Sequence, residues 1–407
     1  MTTSVERDPR LTGDEGVRGH LGAFRRRVTG GELGALPVVI GLVVICLYLQ
    51  TQNDRFLLPG NVTNLILQVA AVGTISVGVV LVLLLGEIDL SVAAVSGLTS
   101  AVMAVLAVKH GVHPVVAVLA ALVLGAAIGA FQGFMFAVTS VPSFVVTLAG
   151  LIAWQGVLLQ VLGSTGTVNL PFGTGVSRLV YTFFGDVVGY LLAAAVVAVF
   201  VLQALGSRRQ RRAAGLEASS PLVIGVRAAL LAVGVFFLAY WLNRDRGVPL
   251  ALVIFVGVVV VFDLLTRRTA YGRHIFAVGG NPEAAWRAGI NVTAVRISVF
   301  VLAGTMAAAG GVLAAARLTA VNQSSGGGDL LLNAIAAAVI GGTSLFGGRG
   351  SAYSALLGVL VIGSISNGLD LLNKSSAVKF MITGAVLLVA ATIDALARRG
   401  RQARGRA

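Results

Sequence analysis

The chain has 407 residues, of which 57% are hydrophobic and only 11% are charged. Soluble globular proteins carry a charge on roughly a quarter of their residues, so this composition excludes an ordinary water-soluble surface. The formal net charge of +14 would suit a nucleic-acid-binding protein. The arginines, however, cluster at the ends of apolar runs, and that distribution indicates membrane topology instead.

The apolar residues form runs of roughly 17–25 residues, which is the length of helix that crosses a bilayer. Twelve candidate spans are predicted, at residues 36–50, 64–85, 90–108, 113–138, 142–163, 183–205, 221–242, 248–265, 297–317, 331–346, 352–372 and 377–396. The first run is short, and residues 334–350 are rich enough in glycine to form a broken or re-entrant segment. The sequence therefore predicts an all-α, polytopic membrane protein with about 10–12 transmembrane helices.

Most of the arginines cluster in two tails and two loops. Residues 1–35 predict a disordered basic tail, residues 36–396 the transmembrane domain, and residues 397–407 a second basic tail. The arginine clusters occupy residues 7–27, 208–212, 267–273 and 398–406. With twelve spans all four clusters fall on one side, which the positive-inside rule assigns to the cytoplasm. The sequence thus predicts a multi-pass protein of the bacterial cytoplasmic membrane with both termini in the cytoplasm.

Glycine spacing predicts close packing in the fourth span. Gly125, Gly129 and Gly133 recur at every fourth residue and line one helix face, which lets another backbone approach closely. The stretches at residues 64–163 and 297–396 are expected to be structural repeats, as in many transporters. No long soluble insertion separates the spans, so the binding of a hydrophilic solute outside the membrane must fall largely to another protein.

Between the eighth and ninth spans, residues 267–293 predict a polar loop followed by a short capped helix. The residues that build it are Gly279, Gly280, Asn281, Pro282, Glu283, Ala284, Ala285 and Gly289. The asparagine is a favourable N-cap, the proline suits the first helical position, and the acid lies where the helix dipole favours negative charge. The alanines form a small face, and the last glycine is a natural stop. Such a helix suits docking into a cleft of another protein; the alternative is a surface helix that merely joins two spans.

Motifs for catalysis are missing from the sequence. None of the lysines, Lys109, Lys374 and Lys379, follows a glycine, so the chain lacks a Walker A loop. Neither H-E-x-x-H nor G-x-S-x-G occurs, and the 4 histidines do not cluster as metal ligands. The chain is therefore predicted not to be an enzyme and to hold no metal or cofactor of its own.

Polar residues within the predicted spans are mostly uncharged. Glu87 and Asp89 lie at the junction of the second and third spans, where Asp89 is expected to be the N-cap of the third helix, with Ser91 supplying one of the first amides. The alternative is a proton or cation site, for which no positive partner is evident. The amide side chains are Gln68, Gln132, Gln155, Asn333 and Asn367. They are candidates for lining a solute pathway, and the alternative is interhelical hydrogen bonding worth about 1 kcal/mol for each bond.

Three other functional classes fit these residues less well. An ion-coupled secondary carrier of a sugar or other solute explains the span count, but it requires an intramembrane network of ionisable groups that the chain lacks. A membrane-embedded transferase or hydrolase requires clustered acids, histidines or metal ligands. A scaffold or receptor leaves the docking helix and the polar residues in the spans without a joint explanation.

Several separate motifs occur in consistent order between about residues 64 and 396. They are Gly86-Glu87-Ile88-Asp89-Leu90-Ser91-Val92, Val141-Pro142-Ser143-Phe144-Val145-Val146-Thr147-Leu148, Thr269-Ala270-Tyr271-Gly272-Arg273, Gly280-Asn281-Pro282-Glu283-Ala284-Ala285 with Ala288-Gly289-Ile290, and AIAAAVIGGTSL at 334–345. On these residues the chain resembles the permease subunit of bacterial ABC sugar importers of the ribose/xylose type. The resemblance implies a type II-like permease homodimer in the lipid bilayer. Its partners would be two ATPase subunits, which bind ATP and magnesium, and an extracytoplasmic sugar-binding protein, with no role for nucleic acid.

The resemblance also implies a role for the capped helix. Glu283-Ala284-Ala285 followed by Gly289 resembles the E-A-A-x-x-x-G element that docks into the ATPase. The length between Arg208 and Arg267 is more similar to the xylose-type branch than to the shorter ribose type. Two departures stand out, Leu331-Leu332-Asn333 in place of Glu-Leu-Asp, and Ala93 in place of a common glycine. The resemblance implies alternating access for a monosaccharide, with a pentose such as xylose expected, driven by partner ATPases.

Overall fold

The computed structural model describes residues 36–173, 175–216, 218 and 220–402, so the predicted tail at residues 1–35 and the end of the second tail at 403–407 lie outside it. Helices make up nearly all of this part. They are α1 (Leu36–Gln52), α2 (Pro59–Leu84), α3 (Val92–Ala104, continued by a π-helical turn at Val105–Lys109), α4 (Pro114–Thr139), α5 (Ser143–Leu162), α6 (Arg178–Tyr181), α7 (Asp186–Ala213), α8 (Pro221–Asn243), α9 (Leu250–Arg268), α10 (Ala270–Gly280), α11 (Pro282–Arg287), α12 (Val292–Leu318), α13 (Leu330–Ile340), α14 (Ala352–Leu371) and α15 (Ser376–Gln402). The short strands are β1 (Thr167–Asn169), β2 (Phe183–Phe184), β3 (Val248–Pro249) and β4 (Ala320–Asn322). The prediction of an all-α fold is confirmed.

The predicted spans correspond to helices in the described part of the chain. Nine helices there are long and apolar enough to cross a membrane, and three shorter apolar helices are Leu36–Gln52, Leu330–Ile340 and Ser376–Thr392. The tenth predicted span is the irregular one, because α13 has only 11 residues and residues 341–350 after it are not helical. The glycine-rich stretch thus ends the helix early, as its composition predicts.

The described residues form two compact units. Residues 184–248 form the first, which we call the hairpin unit, and residues 36–183 with 249–402 form the second, which we call the core unit. In the hairpin unit α7 and α8 pack against each other, and the rings of Tyr190 and Phe236 stack with their centroids 6.2 Å apart. The hydroxyl of Ser220 caps α8 by accepting a hydrogen bond from the Val223 amide.

The core unit is built around α2. Nearly every side chain of this helix is buried, and α9, α12, α13 and α14 pack around it. Its C-terminus lies beside α10, and we call this end of the core unit the α11 end. At the other end β1 and β4 form an antiparallel ribbon in which Val168 lies opposite Val321, and we call it the ribbon end.

The helices α2–α5 and α12–α15 repeat one order in opposite directions. α2 and α12 pack antiparallel, with Gly78 against Ala303 and Ala71 against Gly310. Each is followed by a non-helical stretch, at residues 85–91 or 319–329, and then by α3 or α13. Equivalent helices of the two sets make equivalent contacts. α4 packs on α12 as α14 packs on α2, and α5 packs on α3 as α15 packs on α13. The arrangement agrees with the predicted repeats and gives them inverted topology.

The glycine face predicted on α4 is confirmed by its contact with α12. A Cβ atom at Gly129 would lie 2.1 Å from the carbonyl oxygen of Phe300, and one at Gly125 would lie 2.4 Å from that of Gly304. Gly133 also faces α12, where its Cβ would be 3.0 Å from the Cα of Ile297. The two backbones therefore approach at a distance that no other residue type permits.

We expect the Gly129→Ala substitution to destabilise the protein by about 1–3 kcal/mol, because the added methyl group must push α12 away. The matched control is Gly257→Ala on α9, where an added Cβ would meet nothing within 4 Å. Thermal unfolding of the detergent-solubilised protein measures both effects. Equal shifts of the unfolding midpoint in the two variants would contradict the close approach.

Candidate functional site

The capped helix predicted from the sequence is α11. The side-chain oxygen of Asn281 accepts a hydrogen bond from the Ala284 amide at 3.0 Å, and Pro282 occupies the first turn. Gly289 has a φ of +84°, which places the last turn in the left-handed region that favours glycine. The amide of Ile290 then donates to the Ala285 carbonyl at 3.1 Å, and this bond completes a Schellman motif.

The polar loop predicted before α11 is instead the helix α10, so that prediction was wrong for residues 270–280. Thr269 begins the helix by accepting a hydrogen bond from the Gly272 amide at 3.1 Å. Two glycines of α10 serve close packing, since a Cβ at Gly272 would lie 2.0 Å from the carbonyl oxygen of Thr266 and one at Gly279 would lie 1.8 Å from that of Leu84. Local composition does not reveal such contacts, and the sequence therefore read as a loop.

One side of α11 is buried and the other is open. The side chain of Ala285 is 4% exposed, whereas Trp286 is 68% exposed. Glu283 and Arg287 form an ion pair one turn apart on the open side. Sequence reasoning did not single out Trp286, although an aromatic residue in a polar segment outside the spans is itself a signal of an interaction surface.

Four glycines join α10 to two non-helical stretches of the core unit, residues 85–91 and residues 341–350. We call Gly86, Gly279, Gly347 and Gly348 the glycine junction. A Cβ at Gly279 would lie 1.8 Å from the Leu84 carbonyl oxygen and 3.0 Å from the Gly348 nitrogen, and one at Gly347 would lie 2.5 Å from the Gly279 oxygen. The Gly348 amide donates to the Leu84 carbonyl at 2.9 Å.

The glycine junction places α10 in direct contact with a non-helical stretch of each repeat. Residues 85–91 leave it toward α3, and residues 341–346 reach it from α13. Because backbone meets backbone without flexible side chains between them, a displacement of α10 must move both stretches. The α11 segment is thereby linked mechanically to residues 85–91 before α3 and residues 341–350 after α13.

A second link runs through Glu87. Its carboxylate accepts a hydrogen bond from the Ser143 hydroxyl at 2.7 Å and lies 3.6 Å from the Arg296 guanidinium. Arg296 in turn stacks over the ring of Phe136 with its Cζ 4.7 Å from the centroid. Burial raises the pKa of Glu87, whereas the Ser143 hydrogen bond and the Arg296 charge oppose that rise. The positive partner that the sequence did not reveal is thus Arg296, which lies 209 residues away along the chain.

Asp89 supports the start of α3, but it is not the N-cap. The N-cap residue is Ser91, and the Asp89 carboxylate accepts hydrogen bonds from the Ser91 amide at 2.8 Å and hydroxyl at 2.6 Å. Burial raises the pKa of Asp89, and the hydrogen bonds from Ser91 and Val92 oppose it. The helix begins two residues later than predicted because residues 87–90 are not helical.

The Ser91 hydroxyl also decides the orientation of Gln132. Its single hydrogen goes to Asp89, so the Gln132 atom 3.0 Å from the hydroxyl oxygen must itself be a donor. We therefore assign this atom as the amide nitrogen, which exchanges the positions of the oxygen and nitrogen of the Gln132 amide. The reversed amide turns its acceptor toward Gly150 and the buried indole N–H of Trp154, a donor otherwise without a partner among the described residues.

The five amides proposed for a solute pathway do not form one cluster. Gln132 is buried in the network just described, and Asn367 is buried against Asn61 of α2, with which it exchanges hydrogen bonds of 2.8 and 3.1 Å. These contacts favour interhelical bonding for both. Gln155 donates to the Gln323 carbonyl and Asn333 to the Asp329 carboxylate, so both lie at the stretch before α13. Gln68 is half-buried on α2.

The chain is similar to known membrane permeases over most of its length. The family model described as branched-chain amino acid transport system / permease component matches residues 61–391. The chain is 35% identical to the xylose transport system permease protein XylH of Escherichia coli (strain K12), over 90% of this chain and 93% of that protein. It is 35% identical to XylH of Haemophilus influenzae, over 88% and 95%. It is also 32% identical to the ribose import permease protein RbsC of Escherichia coli (strain K12), over 91% and 96%. No solved structure matches.

We expect Gly279→Ala to loosen the glycine junction. The added methyl group would overlap the Leu84 carbonyl, and overpacking of this kind costs about 1–3 kcal/mol. Amide hydrogen exchange at residues 84–91 and 344–350 should become at least about fivefold faster. The neighbouring Gly280→Ala variant is the control, because nothing lies within 4 Å of its Cβ position. Unchanged exchange in the first variant would contradict the link.

Proposed function

Because this chain belongs to the permease family of branched-chain amino acid transport systems, we propose that it is the membrane-spanning permease of an ATP-binding-cassette importer for a pentose such as xylose. The observation that carries the proposal is α11, a capped helix with one exposed side. The preceding helix, α10, contacts residues 85–91 and 341–350 through the glycine junction. Permeases for xylose and ribose among its relatives support the choice of sugar. The chain is a transport subunit and not an enzyme.

The proposed roles of the partner proteins follow from the sequence of this chain. ATP and magnesium would bind to separate ATPase subunits, since the sequence holds no Walker A lysine. A sugar-binding protein would deliver the solute at the ribbon end, and a second copy of the chain would complete the permease in the bilayer. In this orientation the α11 end and both termini face the cytoplasm.

Docking would place α11 in a cleft of the ATPase. Trp286 supplies the large aromatic side chain that dominates many interfaces, and the Glu283–Arg287 pair fixes charges beside it. When ATP draws the two ATPases together, α11 moves with them. Ala285, which is buried, and the glycine junction pass this movement to residues 85–91 and 341–350, so that the core unit opens alternately toward each side.

The contacts of the two acids disfavour the ion-coupled carrier. Glu87 is engaged by Ser143 and Arg296, and Asp89 by Ser91. A coupling ion needs ligands that can release it and rebind it during each cycle, and these carboxylates are instead tied into structural contacts. The permease therefore depends on its partners for energy.

Uptake of labelled pentose into proteoliposomes tests the proposal. The vesicles contain this chain, its ATPase and its sugar-binding protein, with ATP on the ATPase side and with or without ion gradients. Uptake that requires ATP and both partners is the expected result. Uptake by this chain alone, driven by a proton or sodium gradient, would overturn the importer and restore the secondary carrier.

Two substitutions test the coupling role of α11. Gly289→Glu forces a side chain into a left-handed φ of +84°, which strains the last turn by about 1–3 kcal/mol. Glu283→Arg reverses the charge at its first turn. We expect both proteins to fold while uptake falls at least roughly tenfold and ATP hydrolysis no longer responds to sugar. Wild-type uptake in both variants would remove α11 from the mechanism.

Removal of the exposed indole tests the docking surface directly. We expect Trp286→Ala to weaken the affinity for the ATPase by about 2 kcal/mol or more, which is roughly 30-fold. The control is Phe172→Ala, because Phe172 is 70% exposed and lies near the ribbon. Affinity measured in detergent with the purified ATPase distinguishes them, and equal affinities would place the interface elsewhere.

A further inference from the structure

A non-helical segment enters the core unit beside α3. We call residues 322–329, from the last residue of β4 to the start of α13, the descending segment. A Cβ at Gly326 would lie 2.1 Å from the carbonyl oxygen of Ala93, and one at Gly97 would lie 2.1 Å from that of Ser325. The segment thus touches the first turns of α3, backbone against backbone.

The depth of this contact follows from the helices around it. Lys109, which ends the turn after α3, donates to the Leu162 carbonyl at the end of α5, so the two helix ends lie together. Gly97 precedes Lys109 by twelve residues, which is about 18 Å of helix. Gln155 precedes Leu162 by seven residues, about 10 Å, and donates to the Gln323 carbonyl at 2.9 Å. The descending segment therefore reaches toward the middle of a bilayer roughly 30 Å thick.

The segment is partly exposed in the chain, whereas Ser325 and Gly326, which contact α3, are half-buried. Asn322, Gln323, Ser324 and Gly328 are all exposed. Hydrocarbon cannot satisfy the polar groups of such a segment, so non-helical backbone at membrane depth occurs only inside protein or along water. The chain itself does not enclose these residues, so a water-filled space beside the segment would satisfy their polar groups.

The exposed groups define the chemistry that this space suits. Amides and hydroxyls both donate and accept hydrogen bonds, as sugar hydroxyls do. The one carboxylate of the segment, Asp329, is half-buried and accepts a hydrogen bond from Asn333 at 2.8 Å, so the exposed surface carries no charge. A neutral solute with several hydroxyl groups fits it better than an ion.

We propose that the descending segment lines the solute path of this permease, with Asn322, Gln323 and Ser324 offering hydrogen bonds to a neutral, polyhydroxylated solute. The inference rests on the proposed function for the identity of the solute, but the presence of water at the segment is independent of it. Gln155, on α5, holds the segment in place through the Gln323 backbone and leaves the Gln323 side chain beside Gly166.

Thiol labelling tests the presence of water without any partner or ATP. Cys46 is the single cysteine, so Cys46→Ala provides a background for Gln323→Cys, Ser324→Cys and the control Val123→Cys. Val123 is 67% exposed on α4 and lies about 14 Å from the start of that helix, a comparable depth on an apolar face. A negatively charged methanethiosulfonate should modify positions 323 and 324 in proteoliposomes at least tenfold faster than position 123. Equal rates would show that lipid or a second copy covers the segment and would overturn the proposal.

Uptake of xylose tests the contact with solute. Gln323→Leu keeps the volume of the side chain and removes its hydrogen bonds, and we expect uptake to fall at least tenfold while Val123→Leu remains at the wild-type rate. Wild-type uptake by Gln323→Leu would overturn the solute contact. Fast labelling together with wild-type protein that takes up no pentose would instead leave the water path standing and refute the proposed function.

Discussion

The enclosure of non-helical backbone is the constraint on which the core unit depends. A chain that leaves helical geometry inside a membrane exposes amides and carbonyls that lipid cannot satisfy. Residues 85–91 meet this demand with the Asp89 carboxylate and with the Leu84 carbonyl, which accepts the Gly348 amide. This hydrogen bond between the Gly348 amide and the Leu84 carbonyl satisfies one polar group on each side of the glycine junction. The small residues of α2, α4 and α12 then let the surrounding helices close over them.

Local features of the fold could be predicted from the sequence because their causes are local. The length of apolar runs indicated the spans, and the N-cap at Asn281 and the stop at Gly289 depend on side chains within a few residues of the backbone groups that they satisfy. The helix α10 was missed because Gly272 and Gly279 are typical of loops unless their packing partners are known. Likewise, no local pattern connects Glu87 with Arg296, or Gly279 with Leu84.

Two contacts of different stiffness hold residues 85–91 against neighbouring helices. They are the glycine junction, which contacts α10, and the Glu87–Arg296 pair, which contacts α12. The glycine junction is a backbone contact, which has no rotamers to absorb a displacement. The Glu87–Arg296 pair, at 3.6 Å, joins side chains that can reorient while they remain attracted. The first link suits the transfer of movement, and the second suits the retention of α12 near residues 85–91 during that movement. Both converge on the start of α3, against which the descending segment packs.

The reciprocal amide pair between Asn61 and Asn367 differs in kind from the Glu87–Arg296 pair. Neither asparagine carries a charge, so the strength of their contact between α2 and α14 is independent of ionic strength and of pH. The ion pair at the α11 end is partly exposed and is weakened as salt screens it. Salt therefore acts unequally at the two ends of the core unit: it weakens the contact between residues 85–91 and α12 at the α11 end, while the hydrogen bonds between Asn61 and Asn367 are unaffected.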